Sequence, residues 1–307
     1  MDTRELALIA FTILSQMSVG AFVVLGIVNF YAVRKAGDAE ADRMSDRALL
    51  AIGPVLVLGI IASFFHLGNP LNAPLAVLNF GSSWLSREIA FVIVFSVLGA
   101  VFAFMQWRKL GTMQVRRALA VVAAVVGLAQ VVSMAMVYML PTQPYWNTFG
   151  TLLAFLSTAF LLGSLAVGVA LVANYAYLHR KNPDCAETQC ALLRDVVKGI
   201  ALTSIVLLGI ELVASPLQLS LLAATNDPAA ISSVGLLYQD YGLVFALRLV
   251  LAVIGAGVFA LFLYRSATTA GRERLMGNLV YAAFAVVLVA EVMGRFLFYA
   301  AHTKIGL

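Results

Sequence analysis

Long apolar segments, separated by short polar ones, recur along the whole chain. A helix needs about 20 consecutive and mainly apolar residues to cross the roughly 30 Å hydrocarbon layer of a membrane, and eight segments of the chain meet this requirement. The predicted spans, numbered in chain order, are residues 5–33, 48–66, 88–107, 117–140, 149–177, 195–214, 243–264 and 276–300. The pattern predicts an all-α integral membrane protein, with eight transmembrane helices forming one polytopic domain over residues 1–307.

The amino-acid composition excludes an ordinary water-soluble fold. Hydrophobic residues make up 62% of the chain and charged residues 11%, against about 25% charged residues in a soluble domain. The first apolar segment begins near Glu5 and is longer than the roughly 7–15 apolar residues of a cleavable signal peptide, so it is predicted to remain as the first span. The connections are too short to hold a second catalytic domain. We therefore expect any further redox centre on a separate chain.

Lysine and arginine concentrate in alternate connections between the spans. Most of the 20 Lys and Arg residues follow the first, third, fifth and seventh spans, as at Arg34, Arg116, Arg180 and Arg272. Cytoplasmic loops of membrane proteins hold such a positive excess. The pattern predicts a bacterial inner-membrane protein with these loops in the cytoplasm and both termini in the periplasm. The net charge of +5 is attributed to this orientation and not to nucleic-acid binding.

Ionisable residues inside or at the rim of the spans gather in the predicted periplasmic half of the membrane. They are His66, Arg87, Glu88, Glu211, Arg248, Glu291 and Arg295. A charge in hydrocarbon costs about 2.5 kcal/mol or more, so each needs a partner or a function. Glu291 and Arg295 are four residues apart on one helix face and are expected to form an ion pair. Ion pairs that only join helices are one interpretation of the set, and a proton or ligand path is the other.

His66 lies in a sequence suited to a ligand head group. Gly68 removes a side chain and Pro70 ends the helix, so the backbone between them can open around a ligand. An imidazole with a pKa near about 6.5 can accept a proton from a hydroquinone hydroxyl at neutral pH. Glu88, one short connection later, is predicted to relay that proton to the outer solvent.

Four segments of the chain form a distinctive set: HLGNP at 66–70, WLSREIA at 84–90, QDYG at 239–242 followed by Arg248, and EVMGRFLFYAAH at 291–302. Together they resemble the anchor subunits of dimethyl sulfoxide reductases, the DmsC family. The resemblance implies an eight-helix subunit that oxidises menaquinol and passes two electrons to an iron–sulfur subunit with 4Fe-4S clusters. A third, catalytic subunit with a molybdenum bis-pterin (molybdopterin) cofactor would then reduce the terminal acceptor.

The resemblance also implies roles for particular residues. His66 and Glu88 match the quinol-site histidine and glutamate of the family. Together with the charge pattern, this predicts a menaquinol site among spans two, three, seven and eight, where Arg87 or Arg248 would hold the second quinol oxygen. The other residues expected around the head group are Gly68, Glu291, Arg295, Trp84, Tyr138 and Tyr299.

Two other functions agree with parts of the sequence. A b-type haem cytochrome needs paired histidines, and His66 and His302 share the predicted periplasmic side, although the sequence has only three histidines. A secondary transporter would have Gly- and Pro-broken helices at the membrane midplane, whereas the prolines here lie mainly near span ends. We expect no haem and no metal in this protein, with Cys185 and Cys190 as free thiols. The terminal acceptor is set by another subunit and stays open.

Overall fold

The computed structural model describes residues 3–65, 73–181, 187–269 and 271–303. Within these ranges all regular secondary structure is helical. The helices are α1 (Thr3–Ala36), α2 (Asp38–Phe64), α3 (Ala73–Ala76), a 3-10 turn (Val77–Asn79), α4 (Trp84–Arg108), α5 (Met113–Tyr138), α6 (Phe149–Lys181), α7 (Glu187–Ala223), α8 (Pro228–Gln239), α9 (Gly242–Ala252), a π-helical turn (Val253–Phe259), α10 (Ala260–Ala267) and α11 (Glu273–Ala300).

Eight helices of the described part are long and apolar enough to cross a membrane, as predicted. They are α1, α2, α4, α5, α6, α7, the continuous helix from α9 through the π-helical turn to α10, and α11. Several are longer than the apolar segments that predict them. Helix α2 begins at Asp38, and α7 at Glu187. The added turns are polar, since they lie beyond the apolar segment that is expected to cross the hydrocarbon layer.

Helices α1 and α6 form the centre of the bundle. Helix α1 packs against α2, α5 and α6, and α6 packs in turn against α7 and α11. The two backbones meet at Gly20 and Gly163, where an added Cβ would overlap the Ala159 carbonyl and the Gly20 backbone respectively. Small residues at such a crossing permit the close packing that joins helices in a membrane.

The bundle has two chemically different ends. The basic end carries the connections at residue 37, at 109–112 and at 268–269 and 271–272, and the site end carries those at 77–83, 139–148 and 224–241. At the site end, α8 packs on α7 and α9. Its Ser233 exchanges hydrogen bonds with Thr303 at 2.6 and 3.0 Å, which fixes the segment after α11 against α8.

Exposed ion pairs join the helices at the basic end. Lys109 lies 2.7 Å from Asp42 and 2.8 Å from Asp46, and so joins the end of α4 to α2. Arg117 of α5 pairs with Asp38 at 2.6 Å. These side chains are partly open to solvent, with exposures of 44% for Lys109, 20% for Asp42 and 32% for Asp46.

Candidate functional site

Glu88 is buried near the start of α4. Ser83 caps this helix by accepting a hydrogen bond from the Ser86 amide at 3.3 Å, which places Glu88 in the second turn with only 7% of its surface exposed. Its carboxyl group lies within electrostatic range of Tyr138 and Tyr299. A buried acid and two phenol groups thus lie within electrostatic range of one another at the site end.

Tyr138 and Tyr299 form a hydrogen-bonded pair. Their hydroxyl oxygens are 2.9 Å apart, joining the last residue of α5 to the last turn of α11. The rings of Trp146, Phe155 and Phe298 surround Tyr138, with centroids 5.3 to 5.7 Å away. The pair therefore presents polar hydroxyls within an aromatic wall, the combination that ligand pockets use to bind and orient a flat head group.

Arg295 lies one turn of α11 below Tyr299. Its Nη2 donates to Oε1 of the fully buried Gln16 at 3.0 Å, and its guanidinium carbon lies 3.8 Å from the centre of the Phe155 ring. The ring and the amide both favour the cation. Arg295 thus places a positive charge between the tyrosine pair and the interior of the bundle.

Glu291 lies a further turn below Arg295, 3% exposed. Its Oε2 accepts a hydrogen bond from the Thr158 hydroxyl at 2.6 Å, and Oε1 has no hydrogen-bond partner among the described residues. The expected direct ion pair between Glu291 and Arg295 is wrong for the described side chains, because each turns to a partner on another helix. Spacing on one helix does not reveal the competing partners on α1 and α6.

An ion pair joins α7 to α9 and packs against α11. Arg248 of α9 donates through Nη2 to Glu211 of α7 at 3.3 Å, with side-chain exposures of 15% and 10%. Its guanidinium passes over Gly294 of α11, where an added Cβ would lie within 3.0 Å of the Arg248 Cζ atom. The sequence predicts that both charged residues lie in the periplasmic half of the membrane but does not reveal that they pair.

A cavity of about 100 Å³ lies between α6, α7, α9 and α11. Its polar lining side chains are Tyr145, Thr151, Thr158, Ser215, Gln218, Arg248, Glu291 and Arg295. Burial raises the pKa of Tyr145, in the connection between α5 and α6, to about 12. The cavity therefore brings Arg248, Glu291 and Arg295 to one space.

Arg87 and Trp84 lie in the first turn of α4 and contact the connection before it and each other. The Arg87 side chain donates to the carbonyls of Phe80 and Gly81 at 2.9 and 2.8 Å, and its guanidinium carbon lies 4.2 Å from the centre of the Trp84 ring. Trp84 is 37% exposed. Arg87 thus fixes the connection before α4.

His66 and Gly68 lie outside the described residues. Helix α2 ends at Phe64, and Phe65 follows as its cap. The described part of the site adds two polar partners that the sequence analysis missed, Gln16 and Thr158. The isolated glutamine in the first apolar segment was a usable signal, since a buried amide in a membrane needs a partner.

Known proteins match this chain over nearly its whole length. The family model described as the DMSO reductase anchor subunit (DmsC) matches residues 1–301. The sequence is 27% identical to the C chain of the anaerobic dimethyl sulfoxide reductase of Escherichia coli (strain K12), and the alignment spans 99% of this protein and 97% of that one. It is 28% identical to the corresponding protein of Haemophilus influenzae, with 99% and 96% of the two sequences aligned.

A shorter part of the chain is similar to a subunit of a different enzyme. The sequence is 35% identical over 85 residues to the C subunit of the sulfite dehydrogenase of Allochromatium vinosum, which amounts to 28% of this protein and 26% of that one. The full-length match of the family model decides the assignment. The protein belongs to the DMSO reductase anchor subunit family.

Proposed function

We propose that this member of the anchor subunit family binds menaquinol at its site end, oxidises it and passes the electrons to an iron–sulfur subunit. Membership implies membrane anchoring in a respiratory reductase complex. The observation that carries the finer proposal is the buried Glu88 within electrostatic range of the hydrogen-bonded pair Tyr138 and Tyr299. Burying an acid in an apolar bundle costs free energy, and a function in proton transfer would explain why an acid is present at this position.

The chemistry requires proton acceptors close to the quinol. Oxidation of a quinol to a quinone releases two electrons and two protons. His66 accepts a proton from one hydroxyl, and Glu88 passes it to the solvent at the site end. The phenol groups of Tyr138 and Tyr299 bind the head group by hydrogen bonds, while the surrounding rings exclude water and strengthen these interactions. The positive charge of Arg295 stabilises negative charge that develops on the oxygen.

The electrons leave towards a soluble partner at the site end. We propose that the iron–sulfur subunit docks on the connections at this end, and that a molybdopterin subunit performs the terminal reduction. Exposed apolar side chains of α8, Ile231 and Tyr238, are available for such contact, with 50% and 54% of their surfaces exposed. Leu237 of the same helix has only 2% of its surface exposed, and it holds α8 against the bundle.

The partial similarity to a sulfite dehydrogenase suggests the opposite direction of electron flow. A dehydrogenase takes electrons from its substrate, so an anchor working with one would reduce a quinone. That similarity spans 28% of this protein, whereas the similarity to the dimethyl sulfoxide reductase of Escherichia coli spans 99%. The length of the second similarity favours quinol oxidation.

Removing the proposed proton acceptors tests the function. In the complex with its partner subunits, we expect Glu88→Gln and His66→Ala each to lower quinol-driven reduction by about 10² to 10⁴, the usual contribution of a general base. Activity driven by a reduced dye, which bypasses the quinol, should be unchanged. Asp42→Asn, which removes a carboxylate at the basic end, is the control. Wild-type quinol oxidation in both site variants would contradict the proposal.

The orientation is a separate part of the proposal. The positive-inside rule places the basic end in the cytoplasm and the site end in the periplasm of a bacterial inner membrane. A periplasm-dependent reporter enzyme fused after Tyr145 should therefore be active, and the same reporter fused after Thr112 inactive. The reverse result would place the quinol site and the docking surface on the cytoplasmic side.

A further inference from the structure

The cavity between α6, α7, α9 and α11 is separate from the tyrosine pair. Neither Tyr138 nor Tyr299 lines it, whereas Glu291 and Arg295 do. Its inner end is formed by Glu291 with the hydrogen-bonded Thr158. At the other end lies Gln218, whose side-chain amide donates to the Tyr145 carbonyl at 3.2 Å in the connection between α5 and α6. The cavity thus extends from the buried acid to the site end of the bundle.

Unsatisfied polar atoms indicate what fills the cavity. Oε1 of Glu291, Nε of Arg248 and Nε of Arg295 are buried and make no hydrogen bond within the described part of the protein. Each such atom costs about 1 to 3 kcal/mol if it stays unpaired. A water needs roughly 10 to 15 Å³ of this kind of volume and two or more polar partners, so about 100 Å³ holds several waters. A quinol head group needs a pocket of about 300 Å³ or more.

The position of Glu291 connects the cavity with the quinol site. Glu291, Arg295 and Tyr299 follow one another at intervals of four residues and therefore share one face of α11. The tyrosine pair lies at the upper end of this face and the free carboxylate oxygen at the lower end, with the Arg295 guanidinium between them. On the opposite wall of the cavity, Arg248 donates through Nη2 to Oε2 of Glu211 at 3.3 Å, which holds the arginine in place.

We propose that the cavity is a water-filled proton path and that Glu291 at its inner end takes up the second quinol proton. This proposal rests on the quinol oxidation proposed above. Each quinol loses two electrons to the iron–sulfur subunit and one proton through His66 and Glu88. The other proton enters the cavity waters beside Arg295, which lines the cavity one turn of α11 from Tyr299, and reaches Oε1 of Glu291. Glu291 returns this proton to the cavity waters, which deliver it past Gln218 and Tyr145 to the site end.

The test uses the complete complex with a water-soluble quinol. We expect Glu291→Gln to lower the maximal rate of quinol oxidation at least tenfold and to increase its solvent deuterium isotope effect. The affinity for a quinol-site inhibitor and the dye-driven activity should not change. Glu291→Asp, which keeps a carboxylate, should recover most of the rate. Glu273→Gln, which removes the same charge from the basic end of α11, is the matched control and should behave as wild type.

A second variant tests the water path without removing a charge. Ser215→Leu adds apolar volume to the cavity wall and should slow quinol oxidation with the same increase in isotope effect. Wild-type rates in both Glu291→Gln and Ser215→Leu, in a complex that still loses activity with His66→Ala, would overturn the proton path and leave the quinol site standing. Absence of quinol oxidation by the wild-type complex would instead contradict the proposed function itself.

Discussion

The basic end and the site end of the bundle hold their charges in different ways. At the basic end, Lys109 meets Asp42 and Asp46 with 44%, 20% and 32% of the three side chains exposed. At the site end, Glu88 and Glu291 are 7% and 3% exposed. Both ends carry acids and bases on neighbouring helices, so what differs is the solvent around them.

The difference shows which charges need a functional explanation. Exposed ion pairs contribute about 0 to 1 kcal/mol because water screens them, and they add little cost to the fold. A buried ion loses several kcal/mol of hydration, which a partner repays only in part. Stability alone therefore does not account for the acids and arginines of the site end. The quinol oxidation proposed above would account for them, because it uses charge within the membrane.

The largest expected effect on stability comes from breaking the buried pair of Arg248 and Glu211. Arg248→Leu leaves the carboxylate buried without its partner and should lower the free energy of unfolding by about 3 to 5 kcal/mol. The double variant with Glu211→Leu should lose less than Arg248→Leu alone, because it leaves no unpaired charge. Chemical denaturation of the purified complex in detergent measures both. The single variant Glu211→Leu completes the cycle, and a loss in the double variant equal to the sum of the two single losses would mean that the two charges are not coupled.

The sequence predicted the eight helices but not their full lengths. Apolar segments of about 20 residues identify what crosses the hydrocarbon layer, and all eight are present. The polar turns of α2 from Asp38 to the predicted start at residue 48 were missed, because hydropathy does not distinguish a helix in water from a loop. The π-helical turn at Val253–Phe259 was missed as well, since its apolar sequence resembles that of an ordinary span.

The sequence identified the charged residues of the site better than their partners. Residues such as Glu211 and Arg248 stand out because an apolar segment makes any charge conspicuous. Their pairing depends on the rotation of α7 against α9, which a single sequence does not reveal. The same limit explains the error at Glu291, whose hydroxyl partner Thr158 lies 133 positions away on α6.

A smaller effect is expected from the tyrosine pair. Tyr138→Phe removes one hydroxyl of the 2.9 Å hydrogen bond, and a hydrogen bond contributes about 0.5 to 1.5 kcal/mol. If the pair binds the quinol, the rate divided by KM should fall about three- to tenfold, since 1.4 kcal/mol corresponds to a factor of about ten. Tyr281→Phe, on the exposed side of α11, is the control. An unchanged value in Tyr138→Phe would place the head group elsewhere at the site end.

The smallest effect is expected at the basic end. Lys109→Met removes the charge that lies 2.7 Å from Asp42 and 2.8 Å from Asp46 while it keeps an unbranched side chain at a residue with a positive φ of 53°. We expect the free energy of unfolding to fall by less than about 1 kcal/mol, and by less at high salt than at low salt, because the pair is exposed and screened. Denaturation at both salt concentrations measures this, with Arg248→Leu alongside as the buried counterpart. A loss as large as that of Arg248→Leu, or one that salt does not reduce, would remove the distinction between the two ends, because exposure would then not decide what a charge contributes to this fold.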